Sequence, residues 1–181
     1  GSATPRSTRI RPMGLLDLIL GRDESHHWGP QRVEQVVDFT ARPAVSGVAL
    51  GASLRALQLL GRPRNLRPIA SFLVVYADAG LVIETEQDVV SDFEILLGPL
   101  EGESERRPAH YVIRFPGGQS LTADESTTID QFARFLGEPE SIDTDEEDEE
   151  TIATFTRHDH SLQLEAGLDG RVKNLIITGE M

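Results

Sequence analysis

The stretch Leu54-Arg55-Ala56-Leu57-Gln58-Leu59-Leu60-Gly61-Arg62-Pro63 returns in altered form as Ile129-Asp130-Gln131-Phe132-Ala133-Arg134-Phe135-Leu136-Gly137-Glu138-Pro139, with Gly137 lying 76 positions after Gly61. In the first copy Leu54, Leu57, Gln58 and Leu60 fall at helical spacing. In the second, Ile129, Phe132, Ala133 and Leu136 form the apolar stripe of an amphipathic helix. Each run ends in glycine, with proline two places on. Glycine accepts a left-handed backbone at a helix C-terminus and proline cannot continue a helix, so this punctuation has a physical cause. Asp124 or Ser126 is available to cap the second helix.

Outward from each run the same order follows. Strand-like segments are expected at 72–76, 81–86 and 89–97 after the first copy, with Asp78-Ala79-Gly80 and Gln87-Asp88 as tight connections. After the second they are expected at 151–156, 161–166 and 171–178. Val90, Phe93 and Ile95 match Val172, Leu175 and Ile177 in order and spacing. A further strand is expected at 110–115, running into a Pro116-Gly117-Gly118 turn, while the alternation of Val33, Gln35, Val37 and Phe39 suits a strand and a helix nearly equally.

The expectation is an α+β protein of two tandem helix-plus-antiparallel-meander modules, with the helices on one face of the sheet. Its divisions are an expression-derived leader at 1–12, an N-terminal helix and loop at 13–30, a first module at 31–100, a linker at 101–109 and a second module at 110–181. The leader is Ser/Thr/Arg-rich without apolar period and is followed by Met13; residues 14–20 then form a short apolar run suited to a docking helix. A lone module of about 70 residues buries only about 60% of its unfolded surface, so the two are expected to share a core or extend one sheet.

The phrase Val48-Ala49-Leu50-Gly51-Ala52-Ser53-Leu54, then Leu57 and Leu60-Gly61-Arg62-Pro63 before a small meander, resembles the helix-then-strands module of the β-lactamase inhibitor protein family and of the SmpA/OmlA envelope proteins. The resemblance implies a sheet used for protein contact. The chain departs from those families in having no cysteine and no export signal, so neither disulfides nor inhibitory residues carry over.

Composition narrows the chemistry. The chain of 181 residues carries a formal net charge of -13, and the leader's Arg6, Arg9 and Arg11 make the rest more acidic still. Phosphate backbones would be repelled, which argues against nucleic-acid binding. Without cysteine there are no disulfides, thiolate zinc sites or thiol nucleophiles, and a reducing, cytoplasmic setting is the expected one. No apolar run approaches the roughly 20 residues of a membrane helix, so no membrane partner is expected.

Motifs are few. His158 and His160 stand two apart, a spacing that would put both on one face of a strand and could hold a metal; an exposed turn beside Asp159 explains them as well and is preferred. His26 and His27 beside Trp28 read as a surface loop. Asp143, Asp145, Glu146, Glu147, Asp148, Glu149 and Glu150 are expected in a loop between the second helix and its first strand. Counted as an EF-hand from Asp143, the sixth and twelfth places hold Asp148 and Thr154 instead of Gly and Glu, so that motif fails. Gly51-Ala52-Ser53-Leu54-Arg55 lacks the last glycine of a nucleophile elbow, and no phosphate-cradling glycine loop occurs. Glu84, Glu86, Asp92 and Glu94, opposed by Leu81, Ile83, Phe93 and Ile95, are expected to coat the solvent side of a sheet.

These readings favour a non-enzymatic protein-binding module, an inhibitor, immunity-like or adaptor protein, that needs no cofactor and uses the acidic stretch 143–150 to engage another, basic, protein. The alternative is a small-ligand or metal-binding protein, or a hydrolase, with a site between the modules that gathers His110, His158 or Trp28. A third reading is homo-oligomerisation through an exposed strand edge.

Overall fold

The structure, a computed structural model, describes Ser25 and residues 28–68 and 72–179; the expected leader, the helix at 14–20, His26 and His27 lie outside the described residues. Strands dominate. They run β1 (Val36–Asp38), β2 (Ala44–Val45), β3 (Val48–Ala49), β4 (Asn65–Pro68), β5 (Phe72–Tyr76), β6 (Leu81–Glu86), β7 (Val89–Leu96), β8 (Tyr111–Arg114), β9 (Ser120–Ala123), β10 (Ser141–Asp145), β11 (Glu150–Thr156), β12 (His160–Gly167) and β13 (Val172–Gly179). They form an eight-stranded sheet in the order β10-β11-β12-β13-β7-β6-β5-β4 and a five-stranded sheet in the order β3-β2-β1-β8-β9. The α+β expectation is therefore corrected: the protein is mostly β, and what covers the inner face of the large sheet is chiefly a second sheet instead of a row of helices.

Two local causes explain the difference. The first copy's leucines are spaced by three, at Leu54, Leu57 and Leu60, which is the repeat of a 3-10 helix and not of an α-helix. Leu54–Leu60 is accordingly a 3-10 helix that buries Leu57 and Leu60 and leaves Leu59 70% exposed. The second copy, spaced by three and four, makes the one α-helix of the described residues that exceeds a turn, α1 (Ile129–Leu136). Its N-cap is Thr128, whose N–H is accepted by Gln131 Oε1 at 2.9 Å. Asp124, expected as a cap, instead accepts the N–H and hydroxyl of Ser126.

The two copies keep the same anchoring hydrogen bonds. Leu54 N–H bonds the Asp88 carbonyl and Val90 N–H the Ala52 carbonyl; Ile129 N–H bonds Gly170 and Val172 N–H bonds Thr127 in the same manner. Each helix start is thus pinned to the start of the last strand of its own meander. The meanders join through β7 and β13, antiparallel, with Phe93 opposite Ile177 and Ile95 opposite Leu175. In the smaller sheet β1 lies parallel to β8, Val37 beside Ile113, which no antiparallel meander provides.

Both sheets turn one face to a single core. Val37, Val45, Tyr111 and Ile113 from the small sheet meet Ile83, Phe93, Phe155, Leu164 and Ile177 from the large one. Each such side chain is worth roughly 1.5–3 kcal/mol of transfer free energy on burial. A stack of rings ties the layers together: Phe115 lies 4.7 Å from Phe135 of α1 and 5.9 Å from Phe39, and Phe39 lies 5.9 Å from the ring of His160.

Tyr76 and Tyr111, the two tyrosines of the chain, are buried and donate their hydroxyls to the Gly61 and Ala79 carbonyls at 3.0 and 2.8 Å. Burial pushes both phenols up from the ordinary value of 10.0. A raised acid contributes stability in full below its unfolded-state value and loses it as pH rises through the folded one. Alkaline titration is therefore expected to show no tyrosinate absorbance near pH 10 while the fold persists. It should then appear together with loss of the β circular-dichroism signal; a separate early transition would mean that a tyrosine is exposed.

Candidate functional site

The acidic stretch is not a loop. Ser141–Asp145 forms β10, antiparallel to β11, with Ile142 opposite Ala153 and Asp145 opposite Glu150; residues 146–149 are the turn. Asp145 Oδ1 accepts the N–H groups of Glu147 and Asp148 at 2.9 and 3.3 Å, and Glu149 takes a left-handed backbone, φ 52°. These features close the hairpin without a glycine. Alternation places Asp143 and Asp145 on one face and Ile142 and Thr144 on the other. Positions 142–149 are all exposed, and among the described residues none of the seven carboxylates from Asp143 onward makes an ion pair. Asp145 and Glu150 face each other as like charges, an arrangement that costs a few tenths to about 1 kcal/mol.

The histidines do not converge. His158 is exposed in the turn between β11 and β12, whereas His160 opens β12 with its ring stacked on Phe39 and its Nδ1 2.7 Å from Asp159 Oδ1. That contact is the main reason the Asp159 carboxyl sits below its ordinary value. No group of three or more His, Asp or Glu among the described residues is arranged to hold a metal.

A cleft of 300 Å³ lies on the outer face of the small sheet, lined by Glu34, Val36, Asp38, Thr40, Arg42 and Arg114 among others. His110, His158 and Trp28 are not part of it; Trp28 packs against the core. Asp38 Oδ1 accepts both the hydroxyl and the N–H of Thr40, at 2.5 and 2.8 Å. These bonds, helped by Arg114, hold its carboxyl below the usual range against a small burial effect. A neutral-pH general base or acid is not what this carboxylate offers.

A buried charge cluster escaped the sequence reading. Glu94 points to the outer face of the large sheet, as expected for its register with Phe93 and Ile95, but the segment after β7 crosses that face and sets Arg106 on it. Arg106, its side chain 5% exposed, holds Glu94 Oε1 and Glu103 Oε2 at 2.6 Å each. Asn174 Nδ2 bridges Glu94 Oε1 and Glu165 Oε2 at 2.9 and 2.8 Å. For Glu103 burial works against the charge, and the N–H and guanidinium of Arg106 outweigh it, leaving the carboxyl below its ordinary value. Arg106 Nε and Nη2 donate to Glu103 and Glu94, while Arg106 Nη1 and Asn174 Oδ1 are buried without a hydrogen-bond partner among the described residues; the bonds that are made clasp the two meanders together. The only hint in the sequence was the pair Arg106-Arg107 in a connection rich in Gly and Glu.

Fold and site together define a two-sheet β protein with an acidic hairpin on the edge of its larger sheet. Among the described residues no helix is long and apolar enough to cross a membrane. No family model and no curated protein matches the chain. Among solved structures it is similar to a DUF4309 family protein, YjgB, from Bacillus subtilis, at 12% identity and a TM-score of 0.47, over 75% of this chain and 84% of that one. At that level the likeness bears on neither ligand nor activity.

Proposed function

We propose that the protein is a non-enzymatic binding module, of inhibitor, immunity-like or adaptor type, whose β10–β11 hairpin engages a basic protein in the cytoplasm. The observation that supports this is the hairpin itself: seven carboxylates without an ion pair, six of them exposed and Glu150 half-buried, on an ordered strand pair at a sheet edge. Apart from Asp145, whose oxygen closes the turn, they add like-charge repulsion to the hairpin that carries them. Charge held on a rigid element steers encounter and discriminates partners better than charge on a loose loop.

The test is capture from lysate of the source organism on the full chain and on a variant with all seven residues changed to Asn or Gln. One basic protein, stoichiometric, released by salt and bound at least about tenfold more weakly by the variant, is the expected result. The variant should be as stable as the parent or slightly more so. Equal capture by both chains would remove the hairpin from consideration.

A second reading, small-ligand binding, draws on the cleft, where Arg42 and Arg114 stand beside Asp38. Its test is a screen of carboxylate ligands by thermal shift against Arg114→Ala; shifts shared by both chains would dismiss it.

A further inference from the structure

We propose that the outer edge of β10 receives an extended, basic segment of the partner protein, which joins the large sheet as an additional strand. This rests on the binding role given above to the hairpin and states how the partner is held. β10 terminates the sheet, and its pairing from Ser141↔Thr154 to Asp145↔Glu150 is entirely with β11. In an antiparallel pair, alternate residues of the last strand turn N–H and C=O away from their neighbour, which makes a five-residue template for a further strand. Among the described residues no strand pairs with this edge, and Ile142, on the same face as buried Ala153, is 57% exposed beside it.

Charge selects the occupant. A second copy pairing through its own β10 would set Asp143 and Asp145 against like charges. The other free edge of the sheet, β4, is four residues long and ends in Pro68, which has no N–H to contribute. Pairing β10 with the β4 of the next copy would also propagate without closing. A foreign strand with Lys or Arg on one face and an apolar residue on the other satisfies the backbone, Asp143 and Asp145, and Ile142 together.

The experiment uses the full chain, isotope-labelled, at low salt. The probe is a synthetic peptide alternating lysine and valine; its comparator has the same side chains with every backbone nitrogen methylated. The expected result is binding of the unmodified peptide about tenfold or more tighter than the comparator, with slowed amide exchange at positions 141–145. Equal affinity for the two peptides would overturn strand addition while leaving charge-driven binding in place. Binding of neither would overturn both. Protection of β10 by protein concentration alone, with association seen in sedimentation, would assign the edge to a second copy and overturn the proposal.

Discussion

Gly61→Ala is expected to cost at least about 4 kcal/mol of folding stability, roughly twice the cost of Gly137→Ala. The two glycines end equivalent runs with nearly the same backbone, φ 74° and ψ -168° at Gly61, φ 81° and ψ -174° at Gly137. That region is open to glycine alone, and forcing alanine into it costs on the order of 1–3 kcal/mol at either site. The difference lies in the neighbours. A Cβ on Gly137 would meet nothing within 4 Å, whereas one on Gly61 would lie 2.0 Å from the Pro30 carbonyl oxygen and 2.9 Å from Gln31 Cα.

The opposing backbone cannot simply yield. Arg32 N–H bonds the Leu60 carbonyl and Arg62 N–H bonds the Gly29 carbonyl, both at 2.8 Å, while the Gly61 carbonyl accepts the Tyr76 hydroxyl. Relieving the clash therefore means breaking several of these together. Urea unfolding of the two variants, followed by circular dichroism, decides the matter. Equal losses would show that residues 29–32 do not lie against Gly61.

Arg106→Ala is expected to cost about 3 kcal/mol, because it leaves two half-buried carboxylates, Glu94 and Glu103, without their cation. Arg106→Lys should recover only part of this, since an ammonium cannot fork to two carboxylates as a guanidinium does. The pH dependence carries the sign. Glu103 is held below its ordinary value of 4.5, so its contribution is present above that pH and is lost as pH falls through the lower folded value. The gap between parent and Arg106→Ala is accordingly widest near neutrality and narrows in acid. A loss under about 1 kcal/mol, unchanged with pH, would mark the cluster as an ordinary surface pair.

How far the chain could be read depends on the element. The segments expected at 72–76 and 81–86 are β5 and β6 to the residue, and 89–97 differs from β7 by one position. A short continuous apolar run rich in β-branched and aromatic residues in β5, and the alternation of Leu81, Ile83 and Thr85 with outward-facing neighbours in β6, leave little choice. Gln87 and Asp88, both at positive φ, form the tight turn expected between β6 and β7. The spacing of three in Leu54, Leu57 and Leu60 was visible too, and its distinction from the mixed spacing of α1 is what separates a 3-10 helix from an α-helix.

β10 was harder. Ser-Ile-Asp-Thr-Asp sets two strand-favouring residues, Ile142 and Thr144, against two aspartates that are depleted in strands, so its local preference decides nothing. The usable signal was the two-residue alternation of Ile142 and Thr144 with Asp143 and Asp145. The strand exists because β11 offers a partner, and pairing is a property of two segments at once. The same holds for Arg106, whose meaning depends on Glu94 of β7, twelve residues before it, and on the neighbouring strands β12 and β13.

By itself the sequence determined the net charge, the lack of thiol chemistry, the alternating strands of the two meanders and the glycines that end their leading helices, because each follows from the preference of a residue or its near neighbours. Only the tertiary structure decided that β1 lies parallel to β8, that a second sheet covers the core in place of helices, and that the acids of 143–150 stand on an ordered edge. Those outcomes depend on which distant segments satisfy each other's backbone hydrogen bonds and apolar faces, and no local pattern specifies the partner.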